Sequence, residues 1–355
     1  MILRRKTRQV SIGSVKVGGE APISVQSMTK TDTRDVHKTV AQIRRLEAAG
    51  CEIVRVAVPD EEAALALSEI KKRIDIPLIA DIHFNYRLAL LSMRSGADGV
   101  RINPGNIGGR ERLKAIVLEA KQRAIPIRIG INAGSLEKDL LKRFGGPTAE
   151  AMVTSALRTI ETLESLDFHL IKVSLKASDV LRTIEAYRLF SERSDYPLHL
   201  GITEAGRGYG AIVKSAIGIG LLLHEGIGDT IRVSLTGDPV EEVRVGYEIL
   251  RALKIRERGV EIVSCPTCGR CEIDLPRLVR RVEKEVEKIS TPMTVAIMGC
   301  VVNGPGEARE ADLGIAGGRG SGVLFRQGKI VRKVREEEFL AALLEEIHRR
   351  AERRK

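Results

Sequence analysis

Short apolar runs rich in β-branched residues recur through the first two thirds of the chain. They are Ile23–Met28, Glu52–Val58, Pro77–Ile82, Gly99–Asn103, Pro126–Ile131, Leu170–Leu175, Pro197–Thr203 and Thr230–Leu235. Between them the apolar residues return every three or four positions, as in Val40, Ile43, Leu46 and in Leu113, Ile116, Val117, Ala120. A two-residue period marks strands and a 3.6-residue period marks helices. Eight strands alternating with helices predict a TIM (β/α)8 barrel. A hairpin pattern around Val10–Gly18 precedes it and is expected to plug the barrel floor.

The pattern changes near Gly259. A basic amphipathic helix over Leu275–Ile289, strands at Thr294–Met298 and Leu313–Ala316, a hairpin over Val323–Val334 and a last helix over Glu336–Arg353 predict a small α/β domain. The expected division is residues 1–258 for the barrel and 259–355 for the second domain.

Inside the barrel strands lies an anomaly. Five of them place a cation between two β-branched residues: Arg55, Arg101, Arg128, Lys172 and Arg232. Side chains alternate faces along a strand, so apolar neighbours that face the helices turn each cation toward the barrel axis. Asp81 and Glu204 are candidates to neutralise two of the five. Burying the rest without counter-ions would cost several kcal/mol each, which points to a phosphate or diphosphate ligand held by arginine forks. Gln26, Asp81, His83, Asn103, Asn132, Ser174, Glu204 and Ser234 fall at the same strand ends, where barrel active sites form.

The formal charge is +11. Most basic residues are interleaved with acidic ones and aromatics make up only 3%, a poor footprint for nucleic acid. No apolar run after the basic start resembles a secretory leader, and no stretch reads as a membrane span. The expected location is the cytoplasm. Four of the five cysteines, Cys265, Cys268, Cys271 and Cys300, lie in the last hundred residues. A reducing compartment makes them a metal or redox site rather than a disulfide framework. C-x2-C-x2-C opens the bacterial ferredoxin pattern, whereas a zinc ribbon would need a second pair, so iron–sulfur is favoured.

The strings CPTCGRCEIDLP, MGCVVNGPGEAREADLG, VQSMT, IADIHF, RINPGNIG, GITEAG and IRVSLTGDP resemble those of the 4-hydroxy-3-methylbut-2-en-1-yl diphosphate synthase family, in its compact bacterial form. The resemblance spans essentially the whole chain. It implies reductive opening of a cyclic diphosphate of 2-C-methylerythritol, with ferredoxin or flavodoxin supplying electrons through a [4Fe–4S] cluster. It further implies Cys265, Cys268, Cys300 and Glu307 as cluster ligands, with Cys271 the alternative to Glu307. Arg55, Arg101, Arg128, Asn132, Lys172, Arg232 and Ser234 would then hold the diphosphate. Gln26 and Asp81 would hold hydroxyls or orient the arginines. Glu204 would be the acid, and Asn303 would hydrogen-bond the substrate oxygen beside the cluster.

The helix after strand eight returns toward the barrel bottom, so the second domain starts about a barrel length, ~25 Å, from the strand ends. A head-to-tail homodimer, each cluster domain serving the partner's barrel, is the expected assembly. Two other functions compete: a Lewis-acid iron–sulfur dehydratase of a phosphorylated polyol, and a zinc-stabilised RNA-binding protein.

Overall fold

The computed structural model describes residues 2–300 and 308–353. The chain divides into two compact units, Met1–Arg256 and Glu257–Lys355. In the first, a hairpin of β1 (Val10–Ile12) and β2 (Val15–Val17) precedes eight parallel strands. These are β3 (Ser24–Met28), β4 (Ile53–Ala57), β5 (Leu78–Ile82), β6 (Gly99–Ile102), β7 (Ile127–Asn132), β8 (Ile171–Lys176), β9 (His199–Leu200) and β10 (Thr230–Ile231). They pair in the order β8-β7-β6-β5-β4-β3-β10-β9. A bridge from Val173 to Leu198 joins β8 to the start of β9 and closes the ring.

The outer layer consists of α1 (Val36–Ala49), α2 (Glu61–Lys71), α3 (Tyr86–Arg94), α4 (Pro104–Ile107), α5 (Arg110–Arg123), α6 (Lys138–Arg143), α7 (Ala149–Glu164), α8 (Val180–Arg193), α9 (Gly208–His224) and α10 (Pro239–Ala252). One face of every strand, such as Val54 and Val56 or Ile127, Ile129 and Ile131, packs with these helices into a single apolar layer. Acidic and amide caps fix where the helices start: Asp60 accepts from the Ala63 N–H at 2.9 Å and Asp179 from the Arg182 N–H at 2.7 Å. Each satisfies an amide that the first helical turn leaves unpaired, typically worth about 1 kcal/mol, and so pins the end of the preceding strand. The hairpin closes the floor as expected, with Val10, Ile12 and Val17 packed on Ile53 and Ile79.

Strands seven and eight are much shorter than their apolar runs suggest. Gly201, at φ 157°, leaves no room for a side chain: a Cβ there would stand 2.4 Å from the Arg232 carbonyl oxygen and 2.6 Å from Lys176 Nζ. Regular pairing ends there and the mouth opens.

The second unit contains β11 (Val260–Ser264), α11 (Leu275–Val286), β12 (Met293–Met298), β13 (Leu313–Gly318), β14 (Ser321–Arg326), β15 (Lys329–Arg335) and α12 (Phe339–Arg353). The sheet runs β11-β12-β13-β14-β15. Its first three strands are parallel and the last two antiparallel. Leu278 and Val282 of α11 and Leu343 and Ile347 of α12 share a core with Val295, Ile297 and Ile315. The sequence pattern had not marked β11, whose five residues are half-buried or exposed. Among the described residues no helix is long and apolar enough to cross a membrane.

Candidate functional site

Barrel interiors are ordinarily filled by Val, Ile and Leu. Above the Ile53–Ile79 floor this one is charged. Ile171, Val173 and Leu175 face the helices, so Lys172, Ser174 and Lys176 point inward. The same alternation turns Arg55, Asp81, Arg101, Arg128 and Arg232 to the axis. The five cations expected from the strands are therefore inside, and Lys176 makes a sixth. It was missed because it closes its strand and has only one apolar neighbour within the run.

The carboxylates divide these cations into two groups. Asp81 takes two: its Oδ1 accepts from Arg101 Nη1 at 3.1 Å and its Oδ2 lies 3.6 Å from Arg55 Nε. Burial alone would raise the Asp81 pKa, but Arg55, His83 and Arg101 together hold it well below the usual carboxylate range. Arg232 pairs with Glu242 of α10, whose side chain is wholly buried. Glu242 also accepts from Ser27 Oγ at 3.0 Å and the Leu235 N–H at 3.1 Å, so it ties β3 to the loop after β10. Glu204, expected as a neutraliser, has no ion pair among the described residues and is exposed. Glu242 takes that role because it sits on a helix packed behind the strand, a juxtaposition invisible in the linear pattern.

Arg128, Lys172 and Lys176 have no carboxylate within ion-pair distance among the described residues. Arg128 Nε and Nη1, Lys172 Nζ and both amide atoms of Gln26 are buried without a hydrogen-bond partner. Lys172 is 1% exposed. Burial, reinforced by neighbouring arginines, pushes the pKa of Arg128, Lys172 and Lys176 down, and that of Arg55 to about 10. The carboxylate nearest in effect to Lys172 is Asp229. It is already engaged by Arg4 at 3.1 Å, Thr7 Oγ1 at 3.0 Å and the Leu198 N–H at 2.8 Å. An array of buried cations lacking acceptors is poised for an anion.

Arg101 is locked in place. Its Nη2 donates to the Gly130 carbonyl at 3.2 Å and, with the Asn132 amide oxygen turned toward it, also to Asn132 at 3.2 Å. A Cβ on Gly130 would stand 2.3 Å from Arg101 Nε, so only glycine lets the guanidinium lie across β7. A cleft of about 440 Å³ opens at the strand ends, lined among others by His83, Asn103, Asn132, Arg182 and Glu204. Ser234 is half-buried just beyond β10. Lys172 lies four residues before Lys176 on the same strand, about 13 Å back along it, so Lys176 is the lysine nearer the cleft.

In the second unit, Cys265 follows β11 directly and Cys300 follows β12 by two residues. Ser264 pairs with Ile297, so both thiols come from the carboxyl ends of adjacent parallel strands. The Gly299 N–H donates to Cys265 Sγ at 3.4 Å. A Cβ at Gly299 would meet Cys271 Sγ at 2.5 Å and Cys265 Sγ at 3.5 Å. Cys271 donates to the Ile273 carbonyl at 3.3 Å. Cys268 is exposed, and Arg270 lowers its thiol pKa. Among the described residues no three Cys, His, Asp or Glu side chains yet converge as a metal site. Glu307 and Asn303 lie outside the described residues. Cys51 is buried in the barrel wall, where desolvation raises its pKa to about 12; it is a packing residue.

The fold and site thus define a (β/α)8 barrel with a cation-lined interior, in a chain that also carries a thiol-bearing α/β unit. Residues 7–247 match the GcpE TIM-barrel domain and residues 261–349 the GcpE protein C-terminal domain. The chain belongs to the GcpE family. A relative from Thermodesulfovibrio yellowstonii is 62% identical over 98% of this chain and all of its own length. One from Caldanaerobacter subterraneus is 61% identical over 98% of both. Each is named 4-hydroxy-3-methylbut-2-en-1-yl diphosphate synthase (flavodoxin). Two solved structures share the barrel fold alone, each covering 70% of this chain and 98% of its own, with a TM-score of 0.52. They are a dihydropteroate synthase from Stenotrophomonas maltophilia, 12% identical, and a type I 3-dehydroquinate dehydratase from Clostridium difficile, 16% identical.

Proposed function

We propose that this chain catalyses the reaction for which its relatives are named, as a flavodoxin-dependent oxidoreductase of the non-mevalonate isoprenoid pathway. The substrate is 2-C-methyl-D-erythritol 2,4-cyclodiphosphate and the product 4-hydroxy-3-methylbut-2-enyl diphosphate. One observation carries the reading: three buried cations without carboxylates among the described residues, Arg128, Lys172 and Lys176, turn to the barrel axis beside a second set already neutralised. A diphosphate brings the matching negative charge.

Arg55, Arg101, Arg128, Lys172, Lys176 and Arg232 supply the field that holds the ligand, with Asn132 and Ser234 as hydrogen-bonding partners. Asp81 orients Arg55 and Arg101, and Gln26 offers an unspent amide to a substrate hydroxyl. Glu204, on the rim of the cleft, is the acid that delivers a proton to the departing oxygen.

The cysteines fit an iron–sulfur group. Thiols are soft donors, two of them end adjacent strands, and glycine at 299 lets the Cys265 and Cys271 sulfurs approach one stretch of backbone. Cys265, Cys268, Cys300 and Glu307 would hold a [4Fe–4S] cluster, with Asn303 beside it and Cys271 a neighbouring free thiol. Such a cluster supplies electrons one at a time and an iron site open to a substrate oxygen. The enzyme works in the cytoplasm.

The functional unit is a homodimer whose active sites form between subunits. On α9, Tyr209, Val213, Ile217 and Leu221 are exposed at four-residue intervals, an apolar stripe suited to self-association. Mixing Glu204→Ala with Cys300→Ala subunits should restore about a quarter of full activity if sites form in trans, since random pairing gives one intact site in half the dimers. No recovery rejects it.

An anaerobic assay of holoenzyme with the cyclic diphosphate tests the reaction. Two electrons should be consumed from dithionite for each substrate lost. Turnover without a reductant would instead identify the Lewis-acid dehydratase, and zinc with no brown absorbance the RNA-binding alternative.

A further inference from the structure

The helix α11 starts four residues after Cys271 and carries an alternation of bases and acids that reads, along the chain, as ordinary solvated surface. Folding sorts these charges. Leu275, Leu278, Val282 and Val286 are buried against the sheet and α12. At 100° per residue, Arg277, Arg280, Arg281 and Lys284 gather within about 100° of one another on the side away from that buried face, and Lys288 follows two residues past the helix end. Glu283 and Glu285 fall to the flanks.

All five cations are exposed, and none has a carboxylate within ion-pair distance among the described residues. Elsewhere in the same unit basic side chains are mostly spoken for. Arg326 and Arg349 pair with Glu346, Arg332 with Glu345, Arg335 with Glu337 and Arg350 with Asp312. The apolar face of α11 is spent in the domain core, so the helix cannot lie in a bilayer by inserting it. What remains is a rigid basic ridge of about three turns whose first turn adjoins the cysteine loop.

We propose that the Arg277–Lys288 ridge is the docking surface for an acidic, flavodoxin-type electron carrier. The inference rests on the flavodoxin-dependent reading above and adds where that partner binds. Five exposed cations without carboxylate partners among the described residues call for an acidic face on the carrier. The amino end of the ridge is continuous with the loop bearing Cys265, Cys268 and Cys271. A carrier aligned along the ridge therefore brings its flavin edge to the thiols. Each encounter oxidises the carrier by one electron and reduces the protein-bound acceptor by one, so two encounters serve each turnover. Opposite charges of this density raise the association rate and make it depend steeply on salt.

The test uses holoenzyme carrying Arg277→Glu, Arg281→Glu and Lys284→Glu together. A control carries Lys329→Glu and Lys333→Glu, which reverse exposed cations on β15. Turnover is driven either by reduced flavodoxin or by dithionite, which needs no docking surface. The expected result is a rise of at least 10-fold in KM for flavodoxin in the α11 variant. Its dithionite-driven rate and iron content should stay at wild-type levels, and the control should behave as wild type. Calorimetry of oxidised flavodoxin with substrate-free holoenzyme should show the same loss of affinity and a salt dependence that disappears in the α11 variant.

Unchanged flavodoxin KM and affinity in that variant overturn the proposal. So does an equal loss in the β15 control, or wild-type holoenzyme that binds an RNA or another anionic polymer but not flavodoxin. Failure of the wild type to consume the cyclic diphosphate even with dithionite would reject the enzymatic reading instead. The calorimetric arm would still decide the ridge.

Discussion

Replacing Lys176 with methionine should lower affinity for inorganic diphosphate roughly 100-fold and, at the same time, raise the melting temperature. The two effects share one cause. Lys176 is buried without a carboxylate partner, and desolvation, followed by Arg128 and Arg232, depresses its pKa. Removing such a charge relieves the fold of about 1–2 kcal/mol, or roughly 2–8 °C for a domain of this size. Truncating one side of a buried charged contact costs about 2–5 kcal/mol of binding.

The sign with pH follows from linkage. The folded state binds this proton less tightly than the unfolded chain, so the destabilisation is full below the folded pKa. It fades as pH rises through the ordinary lysine range. The thermal gain of the methionine variant should therefore be large at neutral pH and vanish in strong alkali. Lys172→Met should show a comparable thermal gain and a smaller loss of diphosphate affinity than Lys176→Met, because it lies about 13 Å further back along the strand from the cleft. Calorimetry and thermal melts of the substrate-free protein measure both. Wild-type diphosphate affinity in Lys176→Met would remove the barrel mouth as the anion site.

Alanine at Cys265, Cys268 or Cys300 should abolish the brown absorbance, release the iron and reduce turnover by more than about 1,000-fold. Alanine at Cys271 should leave iron content near wild type. Cys265 and Cys300 come from the ends of paired parallel strands, a rigid base from which two thiolates can share one metal group. Such binding is coupled to folding of the surrounding loop, so the loss should be all or none. Cys271 instead donates its thiol hydrogen to the Ile273 carbonyl. Iron analysis after anaerobic reconstitution gives the answer. Retention of iron by Cys300→Ala together with its loss in Cys271→Ala would exchange the two roles.

Much of this was legible in the linear chain. The barrel followed from eight β-branched runs, and the inward aim of Arg55, Arg101, Arg128, Lys172 and Arg232 from the two-residue period of a strand. The thiol pattern and the family strings pointed to the second unit's chemistry. What stayed hidden involved residues brought together from different elements. Lys176 lacks the symmetric apolar flanks that marked the others. Glu242 lies on a helix and reaches Arg232 only because α10 packs behind β10. The mixed charges of α11 looked neutralised in one dimension and separate into a basic ridge only on the helical surface.

The sequence by itself therefore determined the fold class and the sign of the charge inside the barrel. Each is set by residue type and local periodicity. Only the tertiary structure decided which cations remain uncompensated, because ion pairing is a matter of distances between side chains far apart in the chain. Asp81 satisfies Arg55 and Arg101, Glu242 satisfies Arg232, and Arg128, Lys172 and Lys176 have no carboxylate within ion-pair distance among the described residues.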